Sequence, residues 1–461
     1  EMKKLRILLA MIFAAVLVLA GCGGDKDSGS KSVDENTIVL KAQTAGGEVT
    51  RVDNLVKAAE ILNKELEEKG EDIRVKVEPM YFEGSWQDYA KQFMLAHQAG
   101  KEPDIYATGH ENIGWLADGG YIIPLDDLKD SEAYADIVYP VLWDAVTYKG
   151  KIWGALQDIE HRPVYYNKDM LRELGWSDEE IDSLSEQVKN GEFTLEDMTK
   201  LAEEAVEKGI AEHGIVHRPV EGTDFHYMLY NFGGQLYDAD KNKIVFDKKA
   251  VEKQLGYFAE IAEKGLIPEN LTNMEWSNIH RTVLNGKTLF YYGGLWNIFN
   301  WGEDPYHDEL GKVDYEWVKE HFGMMLVPAA EKGGKPVTLS HPFVYVISSN
   351  TEHPDICQRL LAIVADPELQ LKHAIDTFHL PITKDVTELE EFQKQEALYE
   401  TMYMLEYTTF VPNHEDFPAY SQAVFEAIQA VELGKKTVEE AMADLEVQLK
   451  NDLGDQLIIK E

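Results

Sequence analysis

Thr37-Ile-Val-Leu-Lys-Ala42 is a short apolar run of strand length, and the residues that follow it decide the fold. Residues 48–69 carry apolar side chains at Val52, Leu55, Val56, Ala59, Leu62 and Leu66, the three-to-four spacing of one helix face. Ile73-Arg-Val-Lys-Val77 then alternates as a strand, residues 86–99 return to the helical period, 104–107 form a third strand and 111–118 a third helix. Gly70, Gly100 and Gly119-Gly120 end the three helices. This β-α-β-α-β order is the pattern of a parallel, doubly wound sheet, so the fold class is α/β. Ligands of such sheets bind beyond the carboxyl ends of the strands, which makes residues 43–47, 79–85 and 108–112 candidate site loops. None holds a phosphate-binding glycine motif; Gly46-Gly47 is too short.

Outward from this core the chain continues with capped helices and apolar strands. Ser177 with Glu180, and Thr194 with Asp197, have N-cap spacing. Residues 286–294 (GKTLFYYGG) and 343–347 (FVYVI) read as strands and 355–365 as a helix. Two helices close the chain at 417–433 and 438–451, with Thr437 and Glu440 as a capping box. Asp238-Ala-Asp240-Lys-Asn242 imitates a calcium loop, but Lys243 and Lys249 stand where glycine and glutamate are needed. A polar hairpin turn between Tyr237 and Val245 accounts for it. Cys357 sits among Ile356, Leu360, Leu361 and Ile363 at helical spacing, a packed core thiol.

Of 461 residues, 83 are acidic and 44 basic, a formal net charge of −39 that repels phosphate backbones and anionic lipid heads. No nucleic-acid partner is expected. Two cysteines cannot build a zinc cluster or a disulfide framework. Lys3, Lys4 and Arg6 precede an apolar run over 7–20 that is too short to span a bilayer. The run ends in Leu19-Ala20-Gly21-Cys22, which resembles the bacterial lipobox. Residues 1–21 are therefore expected to be a lipoprotein signal peptide, Cys22 the lipid anchor and 22–36, rich in Gly and Ser, a flexible tether. This would hold the protein at the outer face of a membrane.

Several further motifs run in order along the chain: Pro103-Asp104-Ile105; Trp115-Leu-Ala-Asp-Gly-Gly-Tyr-Ile-Ile-Pro-Leu-Asp-Asp127; Tyr148-Lys-Gly-Lys-Ile-Trp153-Gly; and Tyr165-Tyr166-Asn167-Lys168-Asp169. After them come Gly293-Gly294-Leu295-Trp296, His379-Leu-Pro-Ile-Thr-Lys384-Asp385 and Gly434-Lys-Lys-Thr-Val-Glu-Glu-Ala441. With these the chain resembles the bacterial extracellular solute-binding proteins of the maltose-binding class, the receptors of sugar-importing ABC transporters. The resemblance implies a two-lobe periplasmic-binding-protein fold, each lobe a doubly wound sheet flanked by helices, joined by a hinge. It implies lobes of 37–160 plus 328–406 and 161–327 plus 407–461, with crossings near 160–164, 326–328 and 407–411. Carbohydrate would bind in the cleft between them, and closure would present a surface to the permease subunits.

Sugars offer flat apolar faces and a rim of hydroxyls, so a site needs aromatic plates beside carboxylates and amides. Trp296 stands where the family places a stacking Trp, and Glu160 where it places a ligand carboxylate, although its neighbours Asp158, His161 and Arg162 could instead form a structural ion-pair cluster with it. Glu111 and Asn112 occupy the loop where the family shows an acid and an Arg, and Glu221 is a further carry-over. Tyr420 lies beside Ser421, which replaces the second stacking Trp of maltose binders. Trp86 and Tyr81 flank the second site loop on position alone. Trp115, Trp153 and Trp176 read as packing residues. His341, His373 and His379 show no metal spacing, and no cofactor or metal is expected. No Gly-x-Ser-x-Gly elbow and no His-Glu-x-x-His motif occurs, and with the resemblance this points to a receptor and not an enzyme; the receptor is expected to be a monomer. The alternatives are a receptor for a peptide, polyol or polyamine, and a surface glycoside hydrolase.

Overall fold

In the computed structural model, which describes residues 36–45, 48–134 and 140–461, the strands and helices of the first third lie where their periods put them. Strand β1 (Thr37–Ala45), helix α1 (Thr50–Glu68), β2 (Arg74–Phe82), α2 (Trp86–Gln98) and β3 (Ile105–Gly109) follow in turn. Helix α1 buries Val52, Leu55, Ala58, Ala59, Leu62 and Leu66, one apolar stripe. Each buried leucine contributes about 1.5–3 kcal/mol relative to exposure. Gly70 and Gly100 follow the helices at φ of 70° and 64°, a left-handed backbone that a Cβ would disfavour. Ser85 caps α2 by accepting a hydrogen bond from the backbone N–H of Asp88.

The chain continues through β4 (Ala155–His161), β5 (Val164–Asn167), β6 (His213–Val216), β7 (Thr288–Tyr292), β8 (Phe322–Met325), β9 (Thr338–Ile347) and β10 (Thr408–Thr409). The first sheet has the order β10-β9-β3-β1-β2, with β4 also paired to β9. β1 and β3 run parallel; β9 runs antiparallel to both β3 and β4. The second sheet has the order β8-β5-β7-β6. The chain therefore passes from the first sheet to the second between His161 and Val164, and returns between Met325 and Thr338. Thr338 clamps the outgoing strand: its hydroxyl accepts from the Arg162 N–H and donates to the Arg162 carbonyl. Residues 38–461 pack as one compact unit.

Capping boxes form at Ser177/Glu180, Thr194/Asp197 and Thr437/Glu440. The imitation calcium loop is an antiparallel hairpin, Tyr237 opposite Ile244 and Asp238 opposite Lys243. Cys357 is buried, and burial pushes its thiol up to about 12. Among the described residues no helix is long and apolar enough to cross a membrane. The signal peptide, Cys22, all of the tether but Asn36, and Gly46-Gly47 lie outside the described residues.

Candidate functional site

Strand direction decides where the polar residues meet. Across β9, Phe343 lies opposite Gly109 of β3, and His341 opposite Glu160 of β4. The carboxyl ends of β3 and β4 therefore share one end of the first sheet, and the N-terminus of α1, which follows β1, joins them there. Asp158 and Glu160 are two residues apart on β4, so they face the same side. Arg51, in the first turn of α1, reaches both: its Nε donates to Asp158 at 3.0 Å and its Nη2 to Glu160 at 3.2 Å. Its guanidinium carbon also lies 3.6 Å from the ring centroid of Phe343.

Around these carboxylates stand four histidines drawn from distant parts of the chain. His373 lies 2.7 Å from Asp158 and His379 3.2 Å from Glu160. His341 spans two acids, with Nδ1 3.3 Å from Glu160 and Nε2 2.6 Å from Glu111. His110 lies beside Glu111, and its Nε2 is 3.1 Å from the Val411 carbonyl. Burial alone would raise the carboxyl pKa of Glu111, but the neighbouring His341 holds it at about 2. Burial likewise opposes the imidazolium of His341, yet Glu111 and Glu160 raise it to about 9. Glu160 and Asp158 are held well below the carboxylate range against burial, Glu160 by His341 and His379, Asp158 chiefly by Arg51. His110 carries no charge near neutrality: burial lowers it to about 4, against the pull of Glu111 and of the Val411 and Pro342 carbonyls.

The second sheet contributes Trp296, just beyond the end of β7. A Cβ on Gly294 would lie 2.2 Å from the indole, so this glycine is what lets the ring fold back over the backbone. The half-buried ring is parallel to His379 within 3°, centroids 6.3 Å apart, and the Arg162 guanidinium stands 4.9 Å from its centroid. Arg162 pairs with Asp224, which also takes Arg218 at 3.1 Å. Trp296, His379, Glu160, His341 and Glu111 thus form one chain of contacts, which Phe343 extends to the exposed Trp86. A separate open groove lined by Lys168, Arg172 and Trp317 lies at the opposite end of the second sheet, and its polar groups make surface ion pairs.

Several expectations change. Tyr420 is 1% exposed and packs against Phe417 and His226, so it is a core residue and cannot face a ligand. Asn112 spends its amide on structure, donating to Thr108 and accepting from the Trp115 indole, both at 2.9 Å. Glu160 already faces four N–H groups, from Arg51, Arg162, His341 and His379. It frames the site and has no free face for ligand hydroxyls. Glu221 accepts from the Ser421 hydroxyl, which also bonds His226 at 2.8 Å, so its carboxylate is engaged with these buried residues. Tyr81 is exposed and donates to Asp53 at 3.1 Å. Arg51, His110 and Phe343 were absent from the sequence-based candidates. Only an arginine in the first turn of an amphipathic helix, where an acid is the better residue, hinted at a buried anionic partner.

The sequence profile of the bacterial extracellular solute-binding proteins matches residues 53–371. The chain is 23% identical over 407 residues to the maltodextrin-binding protein MdxE of Bacillus subtilis, covering 85% of this chain and 86% of that one. It is 21% identical over 474 residues to the maltooligosaccharide ABC transporter solute-binding lipoprotein of Streptococcus pneumoniae serotype 4, covering 98% and 99% of the two. In fold it is similar to the sugar-binding protein MalE of Xanthomonas citri, with a TM-score of 0.72, 19% identity, and 90% and 97% of the two chains covered.

Proposed function

This chain belongs to the bacterial extracellular solute-binding protein family, whose members are receptors and not enzymes, and from that premise we propose that it captures a neutral oligosaccharide for an ABC importer. Trp296 is the observation that carries the reading. A half-buried indole standing beside a dense set of ionised, hydrogen-bonding groups offers a sugar both an apolar plate and a polar rim. The rim consists of Arg162 and His379, held in place by Glu160. Relatives named for maltodextrin and maltooligosaccharide binding support the choice of ligand class.

The lobes of this receptor are 37–160 plus 328–406 and 161–327 plus 407–461. They close about the strand crossings at 160–164, 326–328 and 407–411 by hinge motion. Lipid on Cys22 holds it at the outer face of a membrane, where the closed form meets the permease. Cys22→Ser should release the protein from membranes, and an unmodified Cys22 in membrane-bound protein would overturn the anchor. The ligand test is a thermal-shift and calorimetric series with maltose, maltotriose and maltotetraose, and with peptides and polyamines as competitors. A ligand at 100 times its dissociation constant adds about 2.7 kcal/mol of stability. Stabilisation by a peptide or polyamine alone, or cleavage of the oligosaccharide in proportion to protein, would overturn the reading.

A further inference from the structure

We infer that His110, Glu111 and His341 form a binding site for a divalent cation of the zinc class, with an open coordination position at the end of the first sheet. The inference is independent of the sugar reading. Two imidazoles and one carboxylate offer ligand atoms that all lie within 4.8 Å of one another. His341 Nε2 stands 2.6 Å from Glu111, and His110 Nδ1 3.7 Å from the same carboxylate oxygen. These separations bracket the spacing of about 3.4 Å between ligands that tetrahedral zinc sets with bonds of ~2.1 Å.

The tautomers carry the argument. His110 is fully buried, and its Nε2 must carry the proton to donate to the Val411 carbonyl at 3.1 Å. Its Nδ1 then presents a lone pair towards the Glu111 carboxylate, and among the described residues that nitrogen has no hydrogen-bond partner. A buried lone pair facing a carboxylate oxygen is unfavourable in an empty site and useful around a cation. His341 differs: its Nδ1 is held 3.3 Å from Glu160 and its Nε2 points at Glu111 at 2.6 Å, so a cation bound there takes the place of the Nε2 proton, which is released. Each histidine thus has behind it the acceptor that orients metal-bound imidazoles, a backbone carbonyl for one and a carboxylate for the other.

Space is kept for the ion as well. A Cβ on Gly109 would lie 2.3 Å from one Glu111 carboxylate oxygen and 2.6 Å from His341 Nε2, so any larger residue there would fill the site. Glu111 and His341 retain side-chain exposures of 20% and 12%, whereas His110 has none, so the open position faces the accessible side. A second group of possible ligands, Asp158, His373 and His379, is less suited. Asp158 is already bound by the Arg51 guanidinium at 3.0 Å, which would repel a cation placed there.

The test uses the full-length, untagged chain, stripped with a chelator and titrated calorimetrically with zinc chloride. One equivalent should bind, and His110→Ala and His341→Ala should each weaken it by at least about 10- to 100-fold. Because either variant could perturb folding, crystals of the unaltered protein soaked in zinc chloride provide a second measurement. Anomalous diffraction at the zinc edge should show one peak between the three side chains. Failure to bind zinc, a peak elsewhere, or binding lost in His373→Ala but kept in His341→Ala would overturn the inference.

Discussion

The two sheets build their shares of the site in opposite ways. At the end of the first sheet Arg51, Asp158, Glu160, Glu111, His341, His373 and His379 are mostly buried, and each ionised group is matched by another. Beyond the second sheet the main element is one half-buried indole, with Tyr420, Phe417 and His226 packed as core behind Ser421. A cross-paired cluster gains rigidity from its charges, because removing one partner strands another in low dielectric. A ring resting on a glycine has no such dependence and is free to serve a ligand. The first region should therefore fail by unfolding when it is altered, and the second by losing affinity.

The largest effect should come from Asp158→Asn, which leaves Arg51 fully buried without its strongest carboxylate partner. Breaking a buried pair from one side costs about 3–5 kcal/mol, so the unliganded melting point should drop clearly. An unchanged melting curve would mean that the first region is not held by its charges. Next comes Trp296→Ala, which should weaken maltotriose binding about 10- to 100-fold, or roughly 1.4–2.8 kcal/mol, with little change in unliganded melting. Strong destabilisation with intact binding would place the indole in the core and reverse the comparison.

A smaller effect is expected with pH, from buried histidines that stay neutral; besides His110, two are His161 at the crossing and His226 beyond the second sheet. Burial, with Arg162 and His379 adding to it, lowers His161 to about 3. Burial also lowers His226 to about 3, against the pull of Asp224. In the unfolded chain both titrate near 6.5, so as pH falls below that value the unfolded state takes up protons that the folded state refuses. Each should remove less than about 1 kcal/mol between pH 7 and 6, measured by denaturant titration at the two pH values. His341, at about 9, runs the opposite way and gains about as much as one neutral histidine loses over the same interval, so it offsets only one of them. Stability that rises between pH 7 and 6 would show that the charged region dominates the acid response. The smallest effect belongs to Tyr420→Phe, which keeps the buried ring. Sugar affinity should stay within about twofold, and a larger loss in calorimetry would return Tyr420 to the ligand wall.

Much of this was legible in the residues themselves. Apolar spacing in 48–69 and alternation in 73–77 report local periods, and Ser177, Thr194 and Thr437 with their acids report caps formed within four residues. Trp296 could be singled out because the glycines before it are adjacent in sequence. Tyr420 could not be judged in that way. It sits on an amphipathic helix, and which neighbours cover its ring depends on His226 and Phe417. For Glu160 the sequence left a ligand carboxylate and an ion-pair cluster both open, because Arg51, His341 and His379, which fix it as part of a cluster, lie far from it in the chain.

By itself, then, the sequence determined the α/β class, the order of strands and helices, the helix ends and the strand-end loops where a ligand could bind. Each of these follows from backbone sterics and hydrophobic period over a few residues. The tertiary structure alone decided that His341 faces Glu160 across 181 residues and Glu111 across 230, and that Arg51 lies under both Asp158 and Glu160. It also decided that His110 turns a lone pair towards an acid. Strand register and helix docking bring these groups together, and both are fixed by the packing of the whole sheet, which no local spacing encodes.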